Sequence, residues 1–240
     1  MAFGHGKDTA VYLNGRNMSP YLQKLEVDMS AAAEDSTCFG KSFATIQPGL
    51  KSGSISAKGL FDGATSAVDQ IFEAARGAAT AALWTAWVIG ETAVGAIGYA
   101  MRARGTQYRT SSPVAGLVAS EAAGQADDDL ERVKSLHPLA AETAAGNGTT
   151  LDDTVQTTTG AAAYLHVTGF TGTSITVVIQ DSANGTDWAA VTGLAFTAAT
   201  AAGTSERVAT AATATIRRYV RAVWTGTITS ATFSVAFARK

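Results

Sequence analysis

Few side chains in this 240-residue chain have the types and the spacing that catalysis or metal binding requires. His5, His137 and His166 are isolated in sequence and do not form a metal-ligand pattern. His166 falls in an alternating segment and is interpreted as a strand surface residue. Cys38 lacks an adjacent basic residue that would stabilise a thiolate, so a buried or loop thiol is the favoured interpretation. The sequence therefore predicts no catalytic residue, no cofactor and no metal ion.

Two acidic segments and one arginine pair are the remaining candidates for binding chemistry. Asp127–Asp129 could bind a cation, although a solvated turn is the favoured interpretation. Asp181–Asp187 hints at a calcium loop but lacks carboxylates at alternate positions, so a hairpin turn is favoured. Arg217 and Arg221 share one face of a predicted strand and could bind an anion such as a glycan carboxylate. Pairing with an aspartate of the second acidic segment is the favoured alternative.

The composition indicates a subunit of an assembly. Charged residues make up 16% of the chain, against roughly 25% in an average soluble protein. A folded monomer with so few surface charges would associate with itself, which favours surfaces that neighbouring copies cover. The formal net charge of −2 argues against a dedicated nucleic-acid-binding protein, since such proteins carry a basic excess. A single cysteine excludes an intrachain disulfide, and the opening residues 1–7 lack the apolar segment of a signal peptide.

Gly77–Met101 is long and mostly apolar, and it could be mistaken for a membrane span. Glu91 lies near its middle, and a charge at that depth of a bilayer costs about 2.5–3.5 kcal/mol. We therefore predict two buried strands joined by a turn near Gly90–Glu91, and no membrane partner.

The first part of the chain is predicted to be mainly β with one helix. Ala64–Arg76 has the apolar spacing of an amphipathic helix, whereas Ala31–Leu50 has no sustained period and is predicted to be a long loop. Tyr21–Ser30 alternates, with Leu25, Val27 and Met29 on one face and Lys24, Glu26 and Asp28 on the other. The other predicted strands are Thr9–Asn14, Ser54–Phe61, Leu83–Ile89, Ala96–Thr110 and Val114–Gln125.

A second domain is predicted after a boundary near residue 145. Leu139–Thr150 is small, polar and glycine-bearing, which is typical of a linker, and no proline follows it. Residues 146–240 are rich in β-branched and aromatic residues, and they predict an all-β sandwich, immunoglobulin-like or jelly-roll-like. Its predicted core residues are Leu165, Val167, Ile175, Val177, Ile179, Val220, Trp224 and Phe233. Hairpin turns are predicted at Gly172-Thr173, Asn184-Gly185 and Gly226-Thr227.

Several segments of the first domain, taken in order, resemble the major tail tube proteins of long-tailed bacteriophages. The resemblance covers roughly residues 1–140 and rests on residues 1–7, Thr9–Gly15, Met18–Leu22, Glu34–Gly40, Ile46–Gly53, Gly59–Gly63, Ser111–Val114 and Arg132–Pro138. The second domain is similar to the small β-sandwich that many phage structural proteins carry at the C-terminus, on Ser182–Trp188 and Arg218–Arg221.

The resemblance implies a virion tail protein, made in the host cytoplasm, whose tail-tube sandwich or barrel domains join into rings. Such rings are typically hexameric and stack into a tube around a tape-measure protein, and the tube later conducts DNA. The residues expected to face the lumen are Lys24, Glu26, Asp28, Ser56, Lys58, Glu121 and Gln125. The residues expected in an inter-ring loop are Glu34, Asp35, Phe39, Lys41, Phe43 and Pro48.

A carbohydrate-binding or receptor-binding phage accessory protein is the alternative function. Its sign would be an exposed aromatic pair near Trp188 and Trp224 that could stack on a sugar.

Overall fold

The fold is mainly β with one α-helix, as predicted, in a computed structural model that describes residues 4–240. Residues 1–3, which open the first segment of the family resemblance, lie outside the described residues, as does the side chain of Asp129. The elements are β1 (Ala10–Leu13), β2 (Arg16–Asn17), β3 (Leu22–Asp35), β4 (Ile46–Leu60), α1 (Val68–Ala75), β5 (Ala82–Trp87), β6 (Ile97–Ser111), β7 (Ala119–Glu142), β8 (Gly146–Asn147), β9 (Leu151–Asp152), β10 (Ala161–Ser182), β11 (Ala189–Ala195), β12 (Thr204–Ala209) and β13 (Tyr219–Arg239).

The chain divides into two compact units, and β6 and β7 contribute residues to both. Unit 1 contains residues 4–20, 83–100 and 131–240, and unit 2 contains residues 21–82 and 101–130. This division differs from the predicted boundary near residue 145, because residues from both sides of that boundary share one core. In unit 1, Tyr12 and Trp87 pack in the same buried cluster as Tyr164 and Ala236. The assignment of residues 1–145 and 146–240 to two separate domains stays a prediction.

The long antiparallel pair of β10 and β13 dominates unit 1. The pair runs through Gly172 and Gly226, so the hairpin turns predicted at these two glycines are wrong. Gly172 lies at a bulge with φ of 146°, and Gly226 pairs with Ile175 with φ of 138°. These glycines allow a backbone conformation and a close approach of chains that larger residues would not.

The core of unit 1 contains every residue that the sequence predicts for the core of the second-domain sandwich. All of these side chains are buried: Leu165, Val167, Ile175, Val177, Ile179, Val220, Trp224 and Phe233. The predicted linker, residues 139–150, is not a flexible tether. Its first residues end β7 and its middle forms β8 on β13, while the Trp224 Nε1 donates a hydrogen bond to the Ala144 carbonyl oxygen at 2.9 Å.

Unit 2 contains β3, β4, α1 and the parts of β6 and β7 within residues 101–130, and in it β4 pairs with β3 on one side and with β7 on the other. The helix buries Val68, Phe72 and Ala75, three of its predicted apolar positions. The prediction of a long loop over residues 31–50 is wrong, because β3 and β4 stay paired as far as Asp35 and Ile46. Only residues 36–45 connect them.

The apolar stretch Gly77–Met101 forms β5, a turn and the start of β6, which confirms the predicted pair of strands with a turn near Gly90–Glu91. Within residues 4–240, no helix is both long and apolar enough to cross a membrane.

Candidate functional site

Unit 2 presents a polar sheet face formed by alternate residues of β3, β4 and β7. Cross-strand partners in a sheet project from the same face, so the pairing register shows which side chains share it. The register aligns three rows, which are Lys24, Lys58 and Glu121; Glu26, Ser56 and Ala123; and Asp28, Ser54 and Gln125. All seven residues predicted to face a lumen therefore lie on this one surface, called the polar face below. That it lines a lumen stays a prediction.

Hydrogen bonds and one ion pair connect side chains across the polar face. Lys24 Nζ lies 2.7 Å from Glu26 Oε1, and Ser56 Oγ donates to Glu26 Oε2 at 3.3 Å. The hydrogen bond and the charge of Lys24 lower the pKa of the Glu26 carboxyl, and Glu26 raises the pKa of Lys24 in return. Both side chains are solvent-exposed, so this pair orders the surface more than it stabilises the fold.

The reverse side of the same strands is packed. Ile55, Ala57 and Ala122 are buried there, and Leu25 and Val27 are partly buried. The sheet thus has one apolar and one polar face, as the alternation in Tyr21–Ser30 predicts. A wet polar face can line an aqueous channel without disturbing the packed side.

The outer edge of β3 is open. Strand β3 has 14 residues and pairs with β4 along one edge only; no strand of the described part of the chain pairs with the other edge. An open edge presents a row of backbone N–H and C=O groups that can pair with a strand of another chain. It is therefore a candidate surface for association between copies.

The far half of the β3–β4 hairpin is exposed on both faces and ends in a tip, residues 36–45. Ser36 and Thr45 are joined by a backbone hydrogen bond of 2.8 Å, and Thr45 N donates to Thr37 Oγ1 at 2.9 Å. Phe39 and Phe43 are exposed at the tip, at 109% and 87% relative accessibility.

The residues predicted for an inter-ring loop all lie on this hairpin. Glu34, Asp35 and Pro48 are on its strands, while Phe39, Lys41 and Phe43 are in the tip, where Cys38 is an exposed loop thiol. Large apolar side chains on an exposed tip are a candidate contact surface.

The aspartates of residues 127–129 are in β7 and not in the expected turn. Asp127 receives two hydrogen bonds from Arg104, at 2.8 and 2.9 Å, and Asp128 pairs with Arg102. These pairs neutralise the two carboxylates that could otherwise have bound a cation. Within residues 4–240, no group of three or more His, Cys, Asp or Glu side chains could bind a metal ion.

His166 is buried, at 1% relative accessibility, so its prediction as a surface residue is wrong. Its Nδ1 accepts a hydrogen bond from Gly15 N at 3.1 Å, and its Nε2 lies 2.9 Å from Thr85 Oγ1. Burial lowers the pKa of His166 to about 3, so the ring is neutral and joins β10 to the turn between β1 and β2 and to β5. The residues around His166 do form a strand, but residues 161–167 of β10 are buried on both faces, so alternation did not indicate exposure.

His137 is also a core residue of unit 1. Its ring stacks on Phe233 with centroids 4.3 Å apart, and its Nε2 lies 3.1 Å from Glu142 Oε1. These contacts indicate a structural role.

The arginines of β13 and its N-terminal flank make intramolecular contacts. Arg217 Nη1 lies 3.8 Å from Asp181 Oδ1, the predicted pairing, and the loop between Asp181 and Ala189 is the predicted hairpin turn. The guanidinium of Arg221 covers the ring of Trp188 at 4.2 Å. Since Trp224 is only 4% exposed, the aromatic pair expected of a sugar-binding surface is not presented.

Glu91 is a buried carboxyl whose role sequence reasoning did not predict. Tyr12 Oη, Ser135 Oγ, Ser234 Oγ and the Leu139 backbone N–H all donate hydrogen bonds to it, at 2.7 to 3.1 Å. Burial raises the pKa of Glu91 to about 7, although the four hydrogen bonds oppose the shift. The only signal in the sequence was a lone carboxylate within an apolar stretch.

We expect this carboxyl to make stability depend on pH. The folded protein retains the Glu91 proton up to about pH 7, whereas the unfolded chain releases it near 4.5, so protonation favours folding. The contribution is complete below pH 4.5 and is lost as the pH rises through about 7. Between pH 4.5 and 8, ionisation of Glu91 should lower the free energy of unfolding of the native sequence by up to about 3 kcal/mol. The Glu91→Gln protein should not show this decrease, because glutamine does not ionise.

Urea unfolding at several pH values measures this difference, and Glu73→Gln, at an exposed helix position, is the matched control. If Glu91→Gln and the native sequence lose equal stability over this pH range, the assignment of the raised pKa to Glu91 is wrong.

Comparisons with protein-family models and with curated proteins give no match for this sequence. Among solved structures, it is similar to a chain of the virion of a native gene transfer agent particle, at 18% identity and a TM-score of 0.43, over 54% of this chain and 98% of that one. It is similar to the SPP1 tail tube at 15% identity and a TM-score of 0.44, over 53% and 78%. It is also similar to the SPP1 Dit protein at 13% identity and a TM-score of 0.35, over 96% and 98%.

Proposed function

We propose that this chain is a non-enzymatic structural subunit of a bacteriophage tail tube, located in the virion. Copies of the chain form rings, hexameric as the family resemblance implies, and the rings stack into a tube. The lumen of the tube contains the tape-measure protein and later conducts DNA.

The observation that carries this proposal is the open edge of β3 beside the polar face. A 14-residue edge strand is an aggregation hazard in a monomer unless something covers it. A strand from a second copy would pair with this edge and extend the sheet from subunit to subunit. Repeated around a closed ring, such head-to-tail pairing removes every open edge and forms a barrel.

The charges of the polar face suit a channel through which DNA slides. The face carries three carboxylates, Glu26, Asp28 and Glu121, and two ammonium groups, Lys24 and Lys58. A slight acidic excess repels phosphate groups, so DNA passes without adhering to the wall. The packed reverse face then belongs to the body of each subunit.

The hairpin tip supplies the contact between rings in this proposal. Exposed Phe39 and Phe43 would lose their contact with water when the tip packs on a subunit of the next ring. This burial would drive stacking. Before stacking, an isolated subunit would have an exposed apolar tip.

Negative-stain electron microscopy of the concentrated full-length protein tests the proposal. We expect rings and tubes with a central channel, and helical reconstruction should place Glu26 and Asp28 on the channel wall. Particles that remain monomeric at every concentration would contradict the tube assignment. Tubes with the polar face outside or between subunits would contradict only the lumen assignment.

A further inference from the structure

A basic pocket lies in unit 1, whereas the polar face and the hairpin belong to unit 2. Its cavity has a volume of about 330 Å³ and is lined by Arg132, Lys134, Asp153, Val155, Phe237 and Arg239. This volume is at the lower end of the range for small-molecule sites, roughly 300–1,000 Å³. The pocket can therefore enclose a ligand of about the size of one sugar ring.

The pairing of β7 with β13 explains why these residues converge. Lys134 and Phe237 are direct cross-strand partners, so their side chains project from the same face. Arg132 lies two residues before Lys134 in β7, and Arg239 lies two residues after Phe237 in β13, so both share that face. Three cations and an aromatic ring are thus brought together by register.

The cations in the pocket are only partly neutralised. Three cationic side chains surround one carboxylate, that of Asp153, which leaves an excess of two positive charges. Lys134 Nζ bonds one oxygen of this carboxylate, and Arg239 Nε bonds the other at 2.7 Å. Burial by itself would raise the pKa of Asp153, but these two partners keep it below its ordinary value, so the carboxyl remains charged.

The two groups available to a ligand are Arg132 and Lys134. Arg239 uses its guanidinium on Asp153, Thr157 Oγ1 and backbone carbonyl oxygens. Lys134 is half-exposed and makes one of the three hydrogen bonds that an ammonium can donate. The guanidinium of Arg132 is solvent-exposed and has no hydrogen bond or ion pair with any described residue.

We propose that this pocket binds an anionic sugar, a monosaccharide unit that carries a carboxylate or a phosphate. Arg132 and Lys134 bind the oxyanion, because guanidinium and ammonium groups form strong charge-assisted hydrogen bonds with such oxygens. Val155, 60% exposed at the rim, contacts the apolar face of the sugar, and the buried ring of Phe237 supports the floor of the cavity. A bare inorganic ion would leave most of the cavity unfilled.

Isothermal titration of the full-length protein at low ionic strength tests this site with four probes: glucuronate, glucose 6-phosphate, glucose and inorganic phosphate. We expect both anionic sugars to bind more tightly than glucose or inorganic phosphate. Arg132→Gln should weaken their binding about tenfold, the loss of one charge-assisted hydrogen bond. Arg109→Gln, at an exposed arginine of unit 2, is the matched control and should leave the affinity unchanged.

Equal affinities for glucose and glucuronate would overturn the role of the charge, and equal affinities for phosphate and glucose 6-phosphate would overturn the role of the sugar. Unchanged binding to the Arg132→Gln protein would place the ligand elsewhere. Circular dichroism of both variants verifies that they are folded. None of these results depends on tube formation.

Discussion

A subunit in which Asn-Gly replaces the hairpin tip, residues 36–45, should fold and form rings but should no longer stack into tubes. Asp35 and Ile46 are cross-strand partners, so a two-residue turn can close the hairpin at this pair without shifting the register. The change removes the exposed rings of Phe39 and Phe43. If both rings are buried on stacking, the variant loses about 3–6 kcal/mol of stacking free energy per subunit. The critical concentration for tubes then rises at least a hundredfold.

Sedimentation and negative-stain microscopy over a range of concentrations measure this effect. The double variant Phe39→Ser/Phe43→Ser should also lose tubes, whereas Val155→Ser, at an exposed apolar residue of unit 1, should retain them. The single thiol, Cys38, gives a second readout, since it should react with a maleimide in free subunits and be protected in tubes. Tubes of normal length from the protein without the tip would contradict the stacking role.

Gly226→Ala should destabilise the protein by about 3 kcal/mol or more. The φ of 138° at Gly226 is a conformation that L-residues rarely adopt, and a Cβ atom there would lie 2.1 Å from the Ser174 carbonyl oxygen. To accommodate the methyl group, β10 and β13 would have to separate near the centre of their pairing. The cost combines backbone strain with overpacking, each about 1–3 kcal/mol.

Urea unfolding of the native protein and of two variants measures this cost. Gly185→Ala is the matched control, because Gly185 also has a positive φ, 78°, but a Cβ atom there would meet nothing closer than 3.8 Å. We expect Gly185→Ala to lower the free energy of unfolding by about 1 kcal/mol, because only backbone strain contributes at this position. Equal losses for the two variants would mean that the close approach at Gly226 does not exist.

The polar face was predictable from the sequence because it depends on local rules. Alternation has a period of two, so Lys24, Glu26 and Asp28 had to share a face wherever β3 was placed. The helix, the turn after β5 and the core of β10 and β13 followed from apolar spacing in the same way.

Segments without a side-chain pattern could not be predicted. Ala31 and Ala33 pair with Lys51 and Pro48 and extend the hairpin through backbone pairing, which leaves no trace in hydrophobic spacing. Gly172 and Gly226 illustrate a different ambiguity, since the same residue type permits both a turn and a bulge within a continuous strand.

By itself, the sequence determined that this is a mainly β protein, where most of its strands lie and which side chains share a face of β3. Only the tertiary structure decided which distant residues meet, because such contacts depend on strand register and not on local spacing. It buried His166 against Gly15 and Thr85, and it placed Glu91 among four hydrogen-bond donors. It also brought Arg132 and Lys134 of β7 beside Arg239 of β13, because antiparallel pairing aligns residues about a hundred positions apart.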